Sequence, residues 1–158
     1  SVPDASRPAQ TRKGILMAAT VSYDDVEVGT ELPAQTFQIS RATLVKYAGA
    51  SGDFNIIHWN ERTAKAVGLP NVIAHGMCTM AHAGRVVTDW VGDPGAVLEY
   101  GVRFSAPVPV EDDDTGTTLT VGGRVEEKLD NRRVAVVLEA TALGATVLSK
   151  ARAIVQLA

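Results

Sequence analysis

His75-Gly76-Met77-Cys78-Thr79-Met80-Ala81-His82-Ala83-Gly84-Arg85-Val86-Val87-Thr88-Asp89-Trp90-Val91, closed by Gly92-Asp93-Pro94-Gly95, is the stretch on which the fold turns. Met77, Met80, Ala81, Gly84, Val87, Thr88 and Val91 follow i, i+3, i+4, i+7 spacing, which predicts one long amphipathic helix with that face inward. The Gly-Asp-Pro-Gly run then stops it. Ala81 and Gly84 are small enough for a sheet backbone to approach, so a sheet wrapped around this helix is expected rather than a wide bundle.

Everything after the helix reads as β. Leu98, Tyr100, Val102 and Phe104 alternate with Glu99, Gly101, Arg103 and Ser105, the pattern of a two-faced strand. Strands at 117–128 and 132–141 flank the turn Leu129-Asp130-Asn131, and 145–157 forms the last strand. Before the helix, 35–39 alternates as a half-buried strand. Ser40 is a natural N-cap for a helix whose inner face holds Leu44, Tyr47 and Ala48. A second short helix begins at Asn60, carries Ala64 and Val67 inward and ends at Gly68 ahead of Pro70. The expected class is α+β, an antiparallel sheet around a long central helix. Such a small sheet leaves an edge strand open, which predicts a dimer.

Composition narrows the function. The 158 residues make one domain with a net charge of −3 and a pI near 5.6, so there is no basic excess to suit a nucleic acid or an anionic membrane. Cys78 is the single cysteine, which rules out an internal disulfide and suits a reducing, cytoplasmic setting. No apolar run approaches the roughly 20 residues of a membrane-spanning helix, so no membrane insertion is expected. Residues 1–16 are polar with Pro3 and Pro8 and read as a flexible tail or leader. The domain is expected over 17–158.

Two motifs carry chemistry. Ser51-Gly52-Asp53-Phe54-Asn55-Ile56-Ile57-His58 places a carboxylate, a carboxamide and an imidazole in one short irregular segment. Ala74-His75-Gly76-Met77 opens the long helix with a glycine whose N–H has no intrahelical acceptor. An acid, a base and a free donor are the parts needed to move a proton beside a carbonyl and to add or remove water. The plainer readings are a turn-capping Asp53, a core His58, an Asn55 that only shapes an Asx turn and a Gly76 that only packs.

The stretch 47–58 resembles the hydratase signature of the MaoC-like hotdog proteins, Gly-Asp-x-Asn-Pro-aliphatic-His. Ile73-Ala74-His75-Gly76-Met77 is similar to the start of that family's central helix. The resemblance runs from about Val21 to the C-terminus. Within the family the nearest likeness is to the catalytic B subunit of mycobacterial-type (3R)-hydroxyacyl-ACP dehydratases, through Val91-Gly92-Asp93-Pro94-Gly95-Ala96-Val97 and Glu99-Tyr100-x-Val102-Arg103-Phe104. That subunit serves type II fatty acid synthesis and pairs with a related partner that lacks the catalytic residues.

The resemblance implies a hotdog fold and a hydro-lyase acting on an acyl-ACP or acyl-CoA thioester, as a homodimer or a heterodimer with a related hotdog subunit, without metal or other cofactor. It makes His58 the base at C2 and Asp53 the acid at the C3 oxygen, with Gly76 the oxyanion donor and Asn55 and His75 beside it as substrate-binding residues. Such chemistry favours a desolvated Asp53, and Phe54, Ile56 and Ile57 are the neighbours expected to bury it. Ile56 stands where the family has proline, which puts the rigidity of the loop in question. Asp53, His58 and His75 could also be imagined as metal ligands, but His75 is expected to cap or brace the helix start. Cys78 reads as a small buried thiol, and Met77 and Met80 as core or acyl-pocket lining. Arg62, Lys65, Arg85, Arg132 and Arg133 are candidates for meeting an acidic carrier by composition alone. The rival functions are an (R)-specific enoyl-CoA hydratase, a non-catalytic hotdog partner and a hotdog thioesterase.

Overall fold

Ser40 is where strand gives way to helix. Its hydroxyl accepts from Thr43 N–H, and the Thr43 hydroxyl accepts in turn from Ser40 N–H, a reciprocal cap. The computed structural model describes residues 19–158; the predicted tail at 1–16 lies outside them. The elements run β1 (Glu31–Ile39), α1 (Arg41–Ser51), α2 (Glu61–Ala66), α3 (Gly76–Val91), β2 (Val97–Phe104), β3 (Thr117–Leu129), β4 (Arg133–Ala142) and β5 (Ala145–Gln156). The strands form one five-stranded antiparallel sheet in the order β1-β3-β4-β5-β2. The sheet packs on α3, the hotdog arrangement. Asn131 and Arg132, both at positive φ, make the β3–β4 turn, and Leu143-Gly144 makes a β4–β5 turn that the sequence reading missed.

The buried face of α3 differs from the one predicted. Cys78, Thr79, Ala83, Val86, Val87 and Val91 are buried; Met77 is 57% exposed and Ala81 is exposed. Only Val87 and Val91 of the predicted face are fully inside. Two adjacent stripes on this helix are both apolar, so periodicity alone cannot rank them. The one that wins joins the sheet's inner valines and leucines, among them Leu119, Val121, Val136 and Leu148, in one cluster. The other stripe looks toward β2. There the Tyr100 ring, not a sheet backbone, occupies the space over Gly84, 3.1 Å from where a Cβ would stand, and Tyr100 donates to Met80 O at 2.8 Å. Burial pushes that phenol up to about 12.

Two smaller expectations also fail. Val67 is exposed rather than inward, because α2 ends after six residues and Gly68 at φ +90° turns the chain away. Leu98 and Phe104 on β2 are exposed: the register breaks between Val97 and Glu99, which leaves Val97, Tyr100 and Val102 against the core and Leu98 outside it, and Phe104 ends the strand over Gly76.

A polar clamp fixes the segment between α1 and α3. Arg41 donates from Nε to Val110 O at 2.7 Å, and from Nη2 to Asn71 Oδ1 at 2.8 Å and Glu61 Oε2 at 3.1 Å. Asn71, itself buried, donates to Glu111. Ala74 N–H to Val108 O and Val110 N–H to Val72 O continue the pairing up to the start of α3. The start of α1 is thereby tied to the backbone on which the site is built. Among the described residues no helix is long and apolar enough to cross a membrane.

Candidate active site

α1 stops at Gly52, which adopts φ 76° and donates to Ala48 O at 2.9 Å. Three side-chain-to-backbone bonds then carry the loop forward. Ser51 Oγ accepts from Asp53 N–H at 3.2 Å, Asp53 Oδ1 from Asn55 N–H at 3.1 Å, and Asn55 Oδ1 from Ile57 N–H at 3.3 Å. Each is the local bond that short polar side chains offer in place of helix or sheet. Asn55 therefore shapes the loop and, through its own N–H, holds one oxygen of Asp53. Trp59 Nε1–H closes the segment on Phe54 O at 3.0 Å. With these bonds the loop is held without the family's proline at Ile56.

His58 is buried, and its Nδ1 lies 2.7 Å from Ile73 O. A carbonyl only accepts, so Nδ1 carries the proton and Nε2 presents its lone pair. That Nε2 lies 4.0 Å from Asp53 Oδ2, too far for a direct hydrogen bond and close enough for both to reach one substrate. Asp53 does not sit in the desolvated pocket expected for it. Its side chain is 51% exposed, and Phe54 and Ile56 face solvent rather than enclosing it. An apolar groove of about 150 Å³ lies beside the pair, lined by Leu44, Val45, Ala48, Phe54, His58 and Trp59.

His75 holds the N-cap position of α3 but makes no side-chain cap bond. Its Nε2–H donates instead to the main-chain carbonyl of Asp53 at 3.1 Å. Its ring stacks on His58 with centroids 3.8 Å apart and planes 22° apart. Burial holds the His75 ring below the ordinary histidine range, and neighbouring His58 adds to this. Asp53, His58 and His75 do come within metal-ligating reach of one another. Near-parallel stacked rings, however, aim their lone pairs along parallel lines and are poorly posed to share one ion.

Gly76 is the first residue of α3. Neither its N–H nor that of Met77 finds an acceptor among the described residues, so the positive end of a 16-residue helix opens beside the two histidines. Three features of the site are not among the residues expected from the sequence: the Met77 N–H as a donor, the Ile73 carbonyl that accepts from His58, and the Phe104 ring over Gly76. A Cβ on Gly76 would stand 3.0 Å from Phe104 Cε1, so the ring already occupies the space a side chain would need. Cys78 is buried, and burial raises its thiol. His82 turns back to Cys78 O at 2.8 Å. Lys65, Arg85 and Arg132 pair with Glu61, Asp89 and Asp24, leaving Arg62 and Arg133 of the basic candidates without an ion pair among the described residues.

Comparison with known proteins decides the family. A model described as "MaoC like domain" matches residues 25–142. The chain belongs to that family. This MaoC-like chain is 41% identical over 76 residues to 3-hydroxyacyl-thioester dehydratase X of Mycobacterium tuberculosis, a match covering 48% of the chain and 26% of that protein. It is 34% identical over 108 residues to an (R)-specific enoyl-CoA hydratase of Rhodospirillum rubrum, covering 67% of the chain and 73% of the relative. A solved "MaoC-like dehydratase" superposes with a TM-score of 0.86 at 43% identity, over 90% of this chain and 44% of that one. The MaoC-like chain thus spans a quarter to a half of the length of the first and third of these relatives.

Proposed function

We propose that this chain catalyses the reversible removal of water from (3R)-3-hydroxyacyl thioesters. The observation that carries the reading is the fixed tautomer of His58. With its proton held on the Ile73 carbonyl, Nε2 faces Asp53 Oδ2 across 4.0 Å. In dehydration, His58 Nε2 takes the C2 proton. Negative charge builds on the thioester oxygen, where the free N–H groups of Gly76 and Met77 at the start of α3 receive it. Asp53 Oδ2 gives a proton to the departing C3 hydroxyl. Run backwards, Asp53 activates water and His58 protonates C2. Both groups work from one wall, so water and proton add to the same face of the enoyl thioester. Each positioned acid or base is worth about 10²–10⁴-fold in rate. The groove at His58 gives the apolar part of a thioester a surface next to the base.

For Asp53 to act as an acid, its exposed side must be covered. Substrate covers part of it, and a second hotdog subunit added at the free edge of β2 is the other source proposed here. The carrier we assign is acyl carrier protein, with the chain in the role of a catalytic B-type subunit of type II fatty acid synthesis in the cytoplasm. The second reading is a homodimeric (R)-specific enoyl-CoA hydratase. It is favoured by the Rhodospirillum rubrum relative, most of whose length is matched.

Hydration of crotonyl-CoA and of crotonyl-ACP by the wild type, Asp53→Asn and His58→Gln tests both. Each variant is expected to stay folded and lose about 10²–10⁴ in kcat/KM. Near-wild-type rates in both variants would overturn the site. A higher kcat/KM on the CoA thioester would overturn the carrier assignment, and full activity as a homodimer would overturn the heterodimer.

A further inference from the structure

His75 belongs to neither half of the acid–base pair, yet it touches both. The ring is 1% exposed. It is flanked by His58, stacked at 3.8 Å, and by Tyr47 of α1, tilted at 4.7 Å. Its Nε2–H holds the Asp53 carbonyl, and its own carbonyl starts α3 by accepting from Cys78 and Thr79. Its Nδ1 is buried without a hydrogen-bond partner among the described residues.

As a structural residue this is a poor choice. The N-cap of a helix favours Ser, Thr, Asp or Asn, whose side-chain oxygen satisfies an N–H of the first turn. The imidazole makes no such bond and leaves a buried lone pair unmet, which is locally unfavourable. Departures from local rules of this kind collect where function compensates. The compensation is visible at His58. A ring held at one atom, here Nδ1 on Ile73 O, can still swing about that bond, and a second ring stacked on its face removes the swing. Likewise the Asp53 loop is held by local bonds at Ser51 and Asn55, but its carbonyl has its anchor on His75.

We propose that His75 is a positioning residue for the reaction, a single ring that fixes the plane of the base and the main chain of the acid relative to the start of α3. This rests on the assignment of Asp53 and His58 made above. His75 reaches the reacting atoms only through those two residues. Displacement of a catalytic group by about 1 Å costs on the order of 10²-fold in rate, so the expected effect is in turnover.

Two variants separate its contacts. His75→Phe keeps a ring on His58 but loses the N–H to Asp53; His75→Gln keeps a donor but loses the ring. Each is expected to lower kcat by roughly 10–100-fold with KM changed less than about threefold. NMR is expected to find His58 as the Nδ1–H tautomer in all three proteins, since Ile73 O sets it, and to find its ring more mobile in His75→Gln, which lacks the stacked ring, than in the wild type or His75→Phe. A folded variant with wild-type kcat, a loss confined to KM, or an unchanged His58 ring mobility in His75→Gln would each overturn the proposal. If neither variant folds, the wild type still decides. His75 must carry its proton on Nε2 alone at neutral pH, and a proton on Nδ1 refutes the anchoring. Active His75 variants beside inactive Asp53→Asn and His58→Gln would sink this inference alone, whereas active Asp53→Asn and His58→Gln would sink the reading beneath it.

Discussion

Gly76→Ala separates what the start of α3 does for catalysis from what it does for stability. The added methyl would stand 3.0 Å from Phe104 Cε1 and 3.2 Å from Cδ1 and Cζ. Carbon atoms in ordinary contact are about 3.5–4.0 Å apart, so the ring must retreat by roughly 0.5 Å. Phe104 is 51% exposed, which gives it somewhere to go at a cost of about 0.5–1.5 kcal/mol in rotamer strain. Against that stands the gain of replacing glycine by alanine in a helix, at most about 1 kcal/mol. The two nearly cancel. The melting temperature is expected to move by no more than a few degrees, since 1 kcal/mol is worth about 2–4 °C in domains of this size. Catalysis has no such compensation on the proposed mechanism, in which the methyl stands beside the N–H groups that receive the thioester oxygen. Loss of one oxyanion donor costs about 2.7–4 kcal/mol, or 10²–10³ in kcat. The assay is the disappearance of enoyl-thioester absorbance on hydration, run beside a thermal melt. A folded Gly76→Ala protein with kcat/KM within about threefold of wild type would refute the placement of the oxyanion. So would full recovery of rate in Gly76→Ala/Phe104→Leu, which would put the defect in the displaced ring.

Ile56→Pro is expected to keep activity and raise stability by about 0.4–1 kcal/mol in urea unfolding. Ile56 N–H makes no hydrogen bond among the described residues, Asn55 is already extended at ψ 127°, and proline suits the first position of a helical turn. Arg41→Ala is expected to lower the unfolding free energy by about 2–3 kcal/mol, from the charged hydrogen bonds to Val110 O and Asn71 Oδ1; the partly exposed pair with Glu61 adds little. Stability is expected to fall on acidification below the ordinary histidine value of 6.5, because the unfolded chain takes up a proton that buried His75 refuses. Denaturant midpoints between about pH 6.5 and 5 should lose that slope in His75→Gln. Glu61, held low by hydrogen bonds from Lys65 and Arg41, contributes the same sign only nearer its ordinary 4.5.

Much of this was legible in the chain because it was local. Ser40 before a helical run, Gly92 after one, and a Gly-Asp-x-Asn loop each carry their structural meaning within a few residues. The long helix is plain in its spacing, but its inner face is not. Choosing between the Met77/Ala81/Gly84 stripe and the Thr79/Ala83/Val86 stripe requires knowing where the sheet ends. The same holds for Leu98 and Phe104: a register break at Leu98 interrupts the alternation read from the sequence, and Phe104 ends the strand outside the core. In the site, Asp53, His58 and Gly76 came forward from their motifs. The Ile73 carbonyl that sets the His58 tautomer left no trace, since a backbone oxygen is the same at every residue. The exposure of Asp53 is not legible in the sequence, because apolar neighbours such as Phe54 and Ile56 point away from it in a tight turn.

The two borders of the sheet are built differently. β1, the outer strand on one side, carries Pro33, which has no N–H to offer a further strand. β2, on the other side, has no proline and leaves its outward hydrogen-bonding groups without a neighbour. On the proposed addition of a companion at β2, a protomer with that one receptive border has nothing left to offer, so growth would close at a pair, where two receptive borders would permit an open-ended fibre.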